Sequence, residues 1–444
     1  MESRKCKSEE TGELYFCPLT SRKNCPLHYY TWQNKPTKVL EHLKNGEDVN
    51  CLYKGLTPLH VAVKCEAYDV VDVLLQYKCD VNATELESKK TPVLCAACSG
   101  KTNMVRKLVK HGADVNIGDV SSNTPFYWAC QHGHRDTVTC MLHLGVDVNQ
   151  RSAGSRTPLI ASAIAGQSEI LQMLLRAGCS VDLADSSGCT ALYHAVLTGD
   201  RDIVQLLLSA GANPNIGIKS GEYPVHVAAL HGNAAILDAL ISAGCDVNVP
   251  MYAGPPIYLA VVRQHLNAVK KLIQAGAELD YQCKRQFTTA PLSEAVRDFS
   301  PCLSIIVALI QGGCNVDISC HSYNKSAIEQ ALMKGHLDVA QLLLAADCRP
   351  PRSNVLQDIL EFHETEESTA IRRLLVENNL VKSLRRLCRI AIRRSLGYGN
   401  RYEARIRCLS LPSPLKYFLQ FPELTDLLQV AANSPRRDHH MDKQ

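Results

Sequence analysis

The chain has 444 residues, 46% of them hydrophobic and 21% charged, with a formal net charge of +4. That apolar share is enough for substantial cores, while so small a net charge gives no reason to expect a nucleic-acid or membrane partner. No run of 18 apolar residues occurs, and residues 1–14, MESRKCKSEETGEL, are polar where a secretory signal needs an apolar core, so a cytoplasmic chain is expected, with the nucleus also open to it.

Residues 1–24 form a polar leader without periodicity. From residue 25 onward one pattern is rewritten ten times, most clearly over residues 57–82, TPLHVAVKCEAYDVVDVLLQYKCDVN. Thr57 suits an N-cap, and Pro58 suits the first helical position, where its missing N–H leaves nothing unpaired. Leu59, Ala62 and Val63 then recur at helical spacing. After a polar break, Val70, Val71, Leu74 and Leu75 mark a second helix, and the short connection makes the two antiparallel. Copies begin near residues 25, 57, 91, 124, 157, 190, 223, 255, 290 and 326. In eight of them, the position 23 residues after the start holds a turn-forming or acidic residue: Asp48, Asp80, Asp114, Asp147, Ser180, Asn213, Asp246 or Glu278. These side chains can bond their own backbone and so mark a turn between copies. The copy at 290 gains two residues around 298–302, and the last ends at Arg349-Pro350-Pro351, which stops a helical pattern.

A period near 33, with TPLH at its head and HGADVN (111–116) at its tail, resembles the ankyrin repeat. The resemblance implies an all-α fold over residues 25–349: an elongated solenoid of about ten helix-turn-helix units with short hairpin turns. One unit cannot bury its own apolar faces, so neighbours must stack. Cys65, Cys95, Cys98, Cys130, Cys140 and Cys189 fall inside the pattern and are expected to be reduced, small, buried side chains. The C-x-x-C at Cys95 has no second pair at metal-site spacing, and the looser set Cys6, Cys17, Cys25 and His28 is a poor metal site, so neither metal nor cofactor is expected.

Residues 350–378 break the period and read as a helical spacer. In 383–396, SLRRLCRIAIRRSL, a narrow apolar stripe (Leu384, Leu387, Cys388, Ala391, Ile392) is set among arginines, an amphipathic helix that wants a partner. In 408–421, CLSLPSPLKYFLQF, a dense apolar set is broken by Pro412 and Pro414. The two together resemble the SOCS box, placed at 379–425 as a small helical module ahead of a flexible tail, 426–444. The L-x-x-L-C-R-x-x-I-R core appears in full, and the resemblance assigns Leu384, Leu387, Cys388 and Ile392 to elongin binding. It assigns Leu409, Leu411, Pro412 and Leu415 to cullin binding, with Ser410 replacing the family's first proline and Phe418 its tyrosine. The implied partners are elongin C with elongin B, cullin five with its RING protein, and a target protein held by the repeats.

Catalytic motifs are missing from the sequence: no Gly-rich phosphate loop, no H-E-x-x-H, and no spaced carboxylate pair outside the turns. His60, His132, His134, His226, His231 and His336 recur at repeat positions and are expected to bond backbone between units. A non-catalytic adaptor follows, the alternative being a scaffold or inhibitor whose C-terminal helix only caps the array. For target binding, large side chains on first helices or at turn tips single out Trp128, His194, Tyr252 and Glu294.

Overall fold

A computed structural model describes residues 25–281, 289–298, 300–320, 325–346, 348–349, 351, 369–371 and 373. Helix pairs recur with the expected period: Pro26–Trp32 with Pro36–Lys44, Pro58–Lys64 with Tyr68–Gln76, Pro92–Cys98 with Thr102–Lys110, Pro125–Gln131 with Arg135–His143, and Pro158–Ile164 with Ser168–Arg176. These five pairs belong to one compact unit, which ends at Ser186. A second unit, from Ser187, holds Ala191–Thr198 with Arg201–Ser209, Pro224–Leu230 with Ala234–Ser242, Pro256–Val262 with Leu266–Gln274, Pro291–Arg297 with Leu303–Gln311, and Ala327–Met333 with Leu337–Ala345. The one sheet among the described residues is a two-residue ladder, Ser319–Cys320 antiparallel to Lys325–Ser326, so the all-α class stands.

The helix starts follow from local chemistry. Thr57, Thr91, Thr124, Thr157 and Thr190 lie in extended backbone, and each hydroxyl accepts the amide three residues on. Ser326 does the same and Glu329 returns the bond, closing a capping box. Where the cap is lost at Tyr223, His226 Nδ1 accepts the Tyr223 amide at 3.1 Å in its place. Helices of seven to nine residues are too short to persist alone, so packing must hold them. In the second repeat Leu59, Ala62, Val63, Val70, Val71 and Leu74 are all within 1% of full burial. First helices of successive repeats in a unit lie against one another, and Tyr68–Gln76 packs on Pro36–Lys44.

Two hydrogen-bond ladders join consecutive repeats. In the first, an amide oxygen at the turn accepts the N–H of the next repeat's turn: Asn50 from Asp80 and Asn82 from Asp114 at 2.8 Å, with Asn215 from Asp246 and Asn248 from Glu278 in the second unit. The aspartates expected to fold their own turn do so as well, as when Asp80 accepts the Asn82 amide at 2.9 Å. The second ladder runs along the loop tips. There Leu86 N–H donates to Gly55 O at 3.1 Å, Val120 to Ser88 O at 3.1 Å and Ala153 to Ser121 O at 2.8 Å.

Glycine is required where repeats approach closely. At Gly232, φ is +69° and an added Cβ would fall 2.4 Å from the His265 ring, which crosses it to reach Leu230 O at 3.1 Å. Gly100 and His134 repeat the arrangement, with His134 Nε2 2.8 Å from Cys98 O. The expected insertion is also present: Leu303 follows Pro291 by twelve residues where Tyr68 follows Pro58 by ten. The extra residues fall between the two helices, where Asp298 accepts from Gln264 Nε2 at 2.7 Å.

Candidate functional site

Two groups of residues were expected to carry function, and they stand differently. Leu384, Leu387, Cys388 and Ile392, together with Leu409, Leu411, Pro412 and Leu415, lie outside the described residues, as does most of the 350–378 spacer. Trp128, His194, Tyr252 and Glu294 lie within the repeats. Trp128 belongs to the first unit and the other three to the second, each at a different repeat or loop.

Trp128 projects half-buried from Pro125–Gln131, the first helix of the fourth repeat. Its Nε1–H donates to Asp119 Oδ2 at 2.9 Å, and Asp119 is itself held by the Ser121 and Asn123 amides at 2.8 and 3.0 Å. Lys90 Nζ stands 5.4 Å from the ring centroid, a cation–π contact, and the His132 ring lies 5.3 Å away. The indole is therefore held in one orientation by the loop beneath the third and fourth repeats. Glu294 is similarly engaged, accepting from Thr289 Oγ1 at 2.8 Å and pairing with Arg297 at 2.5 Å. His194, half-buried, meets the Tyr193 ring edge-on at 6.4 Å. The Tyr193 hydroxyl donates to Glu222 at 2.9 Å, and burial together with that carboxylate raises its pKa. Tyr252 is 79% exposed.

The histidines divide by direction. His28, His60 and His226, fully buried near the start of first helices, reach forward to Leu56 O, Lys90 O and Val249 O at 2.9 to 3.0 Å. His134, His265 and His336, just ahead of second helices, reach backward to Cys98 O, Leu230 O and Asp298 O. His132 departs from the expectation of a bond between units: its Nδ1 is 3.2 Å from Trp128 O, one turn back in the helix whose C-terminal end His132 caps. The fourteen cysteines with described side chains are free thiols. Burial pushes Cys51 up to about 12 and Cys79 and Cys179 up to about 11, so these remain neutral thiols.

A pH dependence follows from His226, whose side chain is fully buried. Its Nδ1 accepts the Tyr223 amide, so the neutral ring donates from Nε2 to Val249 O. Burial lowers its pKa to about 4, against an ordinary value of 6.5. The unfolded chain thus takes up this proton at a higher pH than the native one. The neutral ring's contribution is whole above pH 6.5 and is lost as pH falls toward 4. Between pH 7 and pH 4.5, the difference in urea unfolding free energy between the native sequence and His226→Asn is expected to shrink by about 2 to 3 kcal/mol. An unchanged difference would show that His226 protonates equally well in both states.

Loop tips hold residues that the search for large side chains passed over. Leu52, Leu86 and Val120 are 62, 67 and 65% exposed, at equivalent places in three consecutive tips. The signal was positional: each lies four or five residues before the threonine that opens the next repeat.

Comparison with known proteins agrees with the repeat geometry. Residues 83–152, 140–218, 215–283 and 259–354 match a family model described as ankyrin repeats in three copies, and residues 40–96 one described as ankyrin repeats in many copies. Residues 380–420 match the SOCS box. Among curated proteins, the B-cell lymphoma 3 protein homolog of Mus musculus is 41% identical over 64 residues, 14% of either chain. Ankyrin repeat and SOCS box protein 11 is 29% identical in Mus musculus and 27% in Homo sapiens, each over 168 residues, 38% of this chain and 39% of the relative. The matched stretches thus span well under half the length of these relatives.

Proposed function

Because the chain belongs to the ankyrin repeat and SOCS box family, we propose that it is the substrate-recognition subunit of an elongin B/elongin C, cullin five RING ubiquitin ligase, working in the cytoplasm or nucleus. The observation that carries this reading is the SOCS box match over residues 380–420, which contains every residue of both adaptor motifs. Two independent signals, a recognition array and then an adaptor box, stand in the order a receptor needs. The task of such a subunit is positional. One end holds a target while the other is tied to a ubiquitin-charged enzyme, and a target lysine then meets the thioester at high effective concentration without a catalytic residue on the receptor.

Co-expression with elongin B and elongin C tests the reading. We expect the full chain to elute with both elongins as a single complex in gel filtration, and that complex to take up cullin five with its RING protein. A chain that elutes free of elongins sinks the proposal and favours a scaffold whose C-terminal helix caps the repeats.

A further inference from the structure

We propose that the loop-tip edge of the first unit, from Leu52 to Arg156, is the docking surface for an extended, acidic segment of a target protein carrying aliphatic side chains. The inference rests on the receptor reading and specifies its substrate.

Three observations converge on this edge. The first is the row of Leu52, Leu86 and Val120, the largest aliphatic side chains left more than 60% exposed among the described residues. Backbone bonds from Leu86 to Gly55 and from Val120 to Ser88 join successive tips, and Leu86 lies directly against Gly55, where an added Cβ would be 2.8 Å from its own. The row therefore repeats at the spacing of packed helices, roughly 8–10 Å. Such a row fits a chain extended in the polyproline II form, whose every third side chain returns to one edge about 9 Å further on. The aliphatic row ends at Ala153 and Ser186, and the equivalent places in the next two tips of the second unit hold Lys219 and Tyr252.

The second observation is charge. Exposed Lys54, Lys89 and Arg151 border the row, with Lys90 half-buried beside Trp128. At the tips themselves the acidic residues are largely engaged within the fold: Glu85 is buried against Lys64 at 2.8 Å and Asp119 is taken up by Trp128 and its own turn, while Glu87 stays at the surface. The exposed Asp48, Asp80, Asp114 and Asp147 of the same connections lie apart from the tips, at the turns that follow the second helices. The edge thus carries a cationic excess, and an acidic partner complements it.

The third is backbone strain. In the first unit four successive tips place a non-glycine residue at positive φ: Lys54 at +50°, and Lys89, Ser122 and Ser155 at +57°. Corresponding tips of the second unit use Gly188, Gly221 and Gly254, which adopt that conformation freely. A long cationic side chain kept where glycine is easier indicates that the side chain is used. Beneath these tips the pinned indole of Trp128 offers a rigid aromatic contact that loses little freedom on binding.

Selection of a random dodecamer display library on the full chain, with elongins co-expressed, tests the surface. Enriched sequences are expected to carry Leu, Ile, Val or Phe at every third position, with Asp or Glu between them. A synthetic peptide of that consensus is expected to bind at least tenfold more weakly to Leu86→Ser with Val120→Ser, and likewise to Lys54→Glu with Lys89→Glu, while melting temperatures stay the same because the four side chains are exposed. Failure to enrich any sequence, enrichment of basic or uncharged ones, tighter binding of a single-stranded oligonucleotide, or a consensus peptide indifferent to both variants overturns the proposal. Elongin co-elution is read on the same preparations. If elongins remain and the peptide preference is absent, this surface alone is wrong; if the preference is present without elongins, the receptor reading falls and the surface survives.

Discussion

Leu74→Asp is expected to unfold the first unit well beyond its own repeat. The side chain is completely buried on Tyr68–Gln76, in the layer where that helix meets Pro36–Lys44 and Pro58–Lys64. Losing the leucine alone costs about 2 to 5 kcal/mol through lost transfer energy and the cavity left behind. The introduced carboxylate then has to ionise without a partner in an apolar layer or stay protonated at a raised pKa, a further penalty of several kcal/mol. Repeats of this kind draw much of their stability from their neighbours, so the loss spreads along the array. Hydrogen exchange is expected to show the amides of Pro36–Lys44, Pro58–Lys64 and Tyr68–Gln76 losing protection together. Leu207→Asp, equally buried on Arg201–Ser209, is expected to do the same to the second unit. A melting transition unchanged in either variant refutes the stacking of helix layers as the source of stability.

The other large effect concerns the adaptor. Leu384→Ala combined with Cys388→Phe is expected to abolish elongin co-elution without altering the thermal melt of the repeats. On the proposed reading, Leu384 fills a pocket on the partner. Emptying that pocket costs about 2 to 4 kcal/mol, as for a buried leucine. Phenylalanine at 388 adds a clash where a small side chain is called for. A total near 4 kcal/mol is roughly a thousandfold in affinity, enough to leave a pull-down blank. Changing Leu411 and Pro412 to alanine is expected to spare the elongins and weaken cullin recruitment alone. Should the 384/388 variant still carry elongin B and elongin C at native levels, the helix does not bind them in the way its motif implies.

Repetition explains why so much of this fold was legible. A lone threonine-proline pair is a weak helix signal, but Thr57, Thr91, Thr124 and Thr157 state it at one interval, each followed by the same spacing of apolar residues. Even the insertion at 298–302 showed as a disturbance of a known period. Bonds between repeats were less legible. Asn50 and Asn82 read as turn formers from their own neighbourhood, whereas their second bond goes to an amide about thirty residues later. The adaptor motifs could be read because each is a contiguous stretch. A binding surface assembled from one or two side chains per repeat leaves no contiguous stretch to read, so a search by size picked out Trp128 and passed over Leu52, Leu86 and Val120, whose exposure is a fact of the stacked array. Nor could sequence show that Asp119 pins the indole.

The turn ladder also has a direction, and protein synthesis runs along it. Each acceptor lies earlier in the chain than its donor: Asn50 ahead of Asp80, Asn82 ahead of Asp114, Asn215 ahead of Asp246, Asn248 ahead of Glu278. A ribosome working from the N-terminus delivers the receiving side chain about thirty residues before the amide that will use it. A newly emerged repeat can dock onto a template already in place: the trailing edge of the nascent array presents an asparagine side chain whose oxygen awaits the next turn's backbone N–H and whose Nδ2–H, in Asn82, Asn215 and Asn248, awaits the carbonyl of Gly112, Gly244 or Gly276, and water satisfies both groups in the meantime.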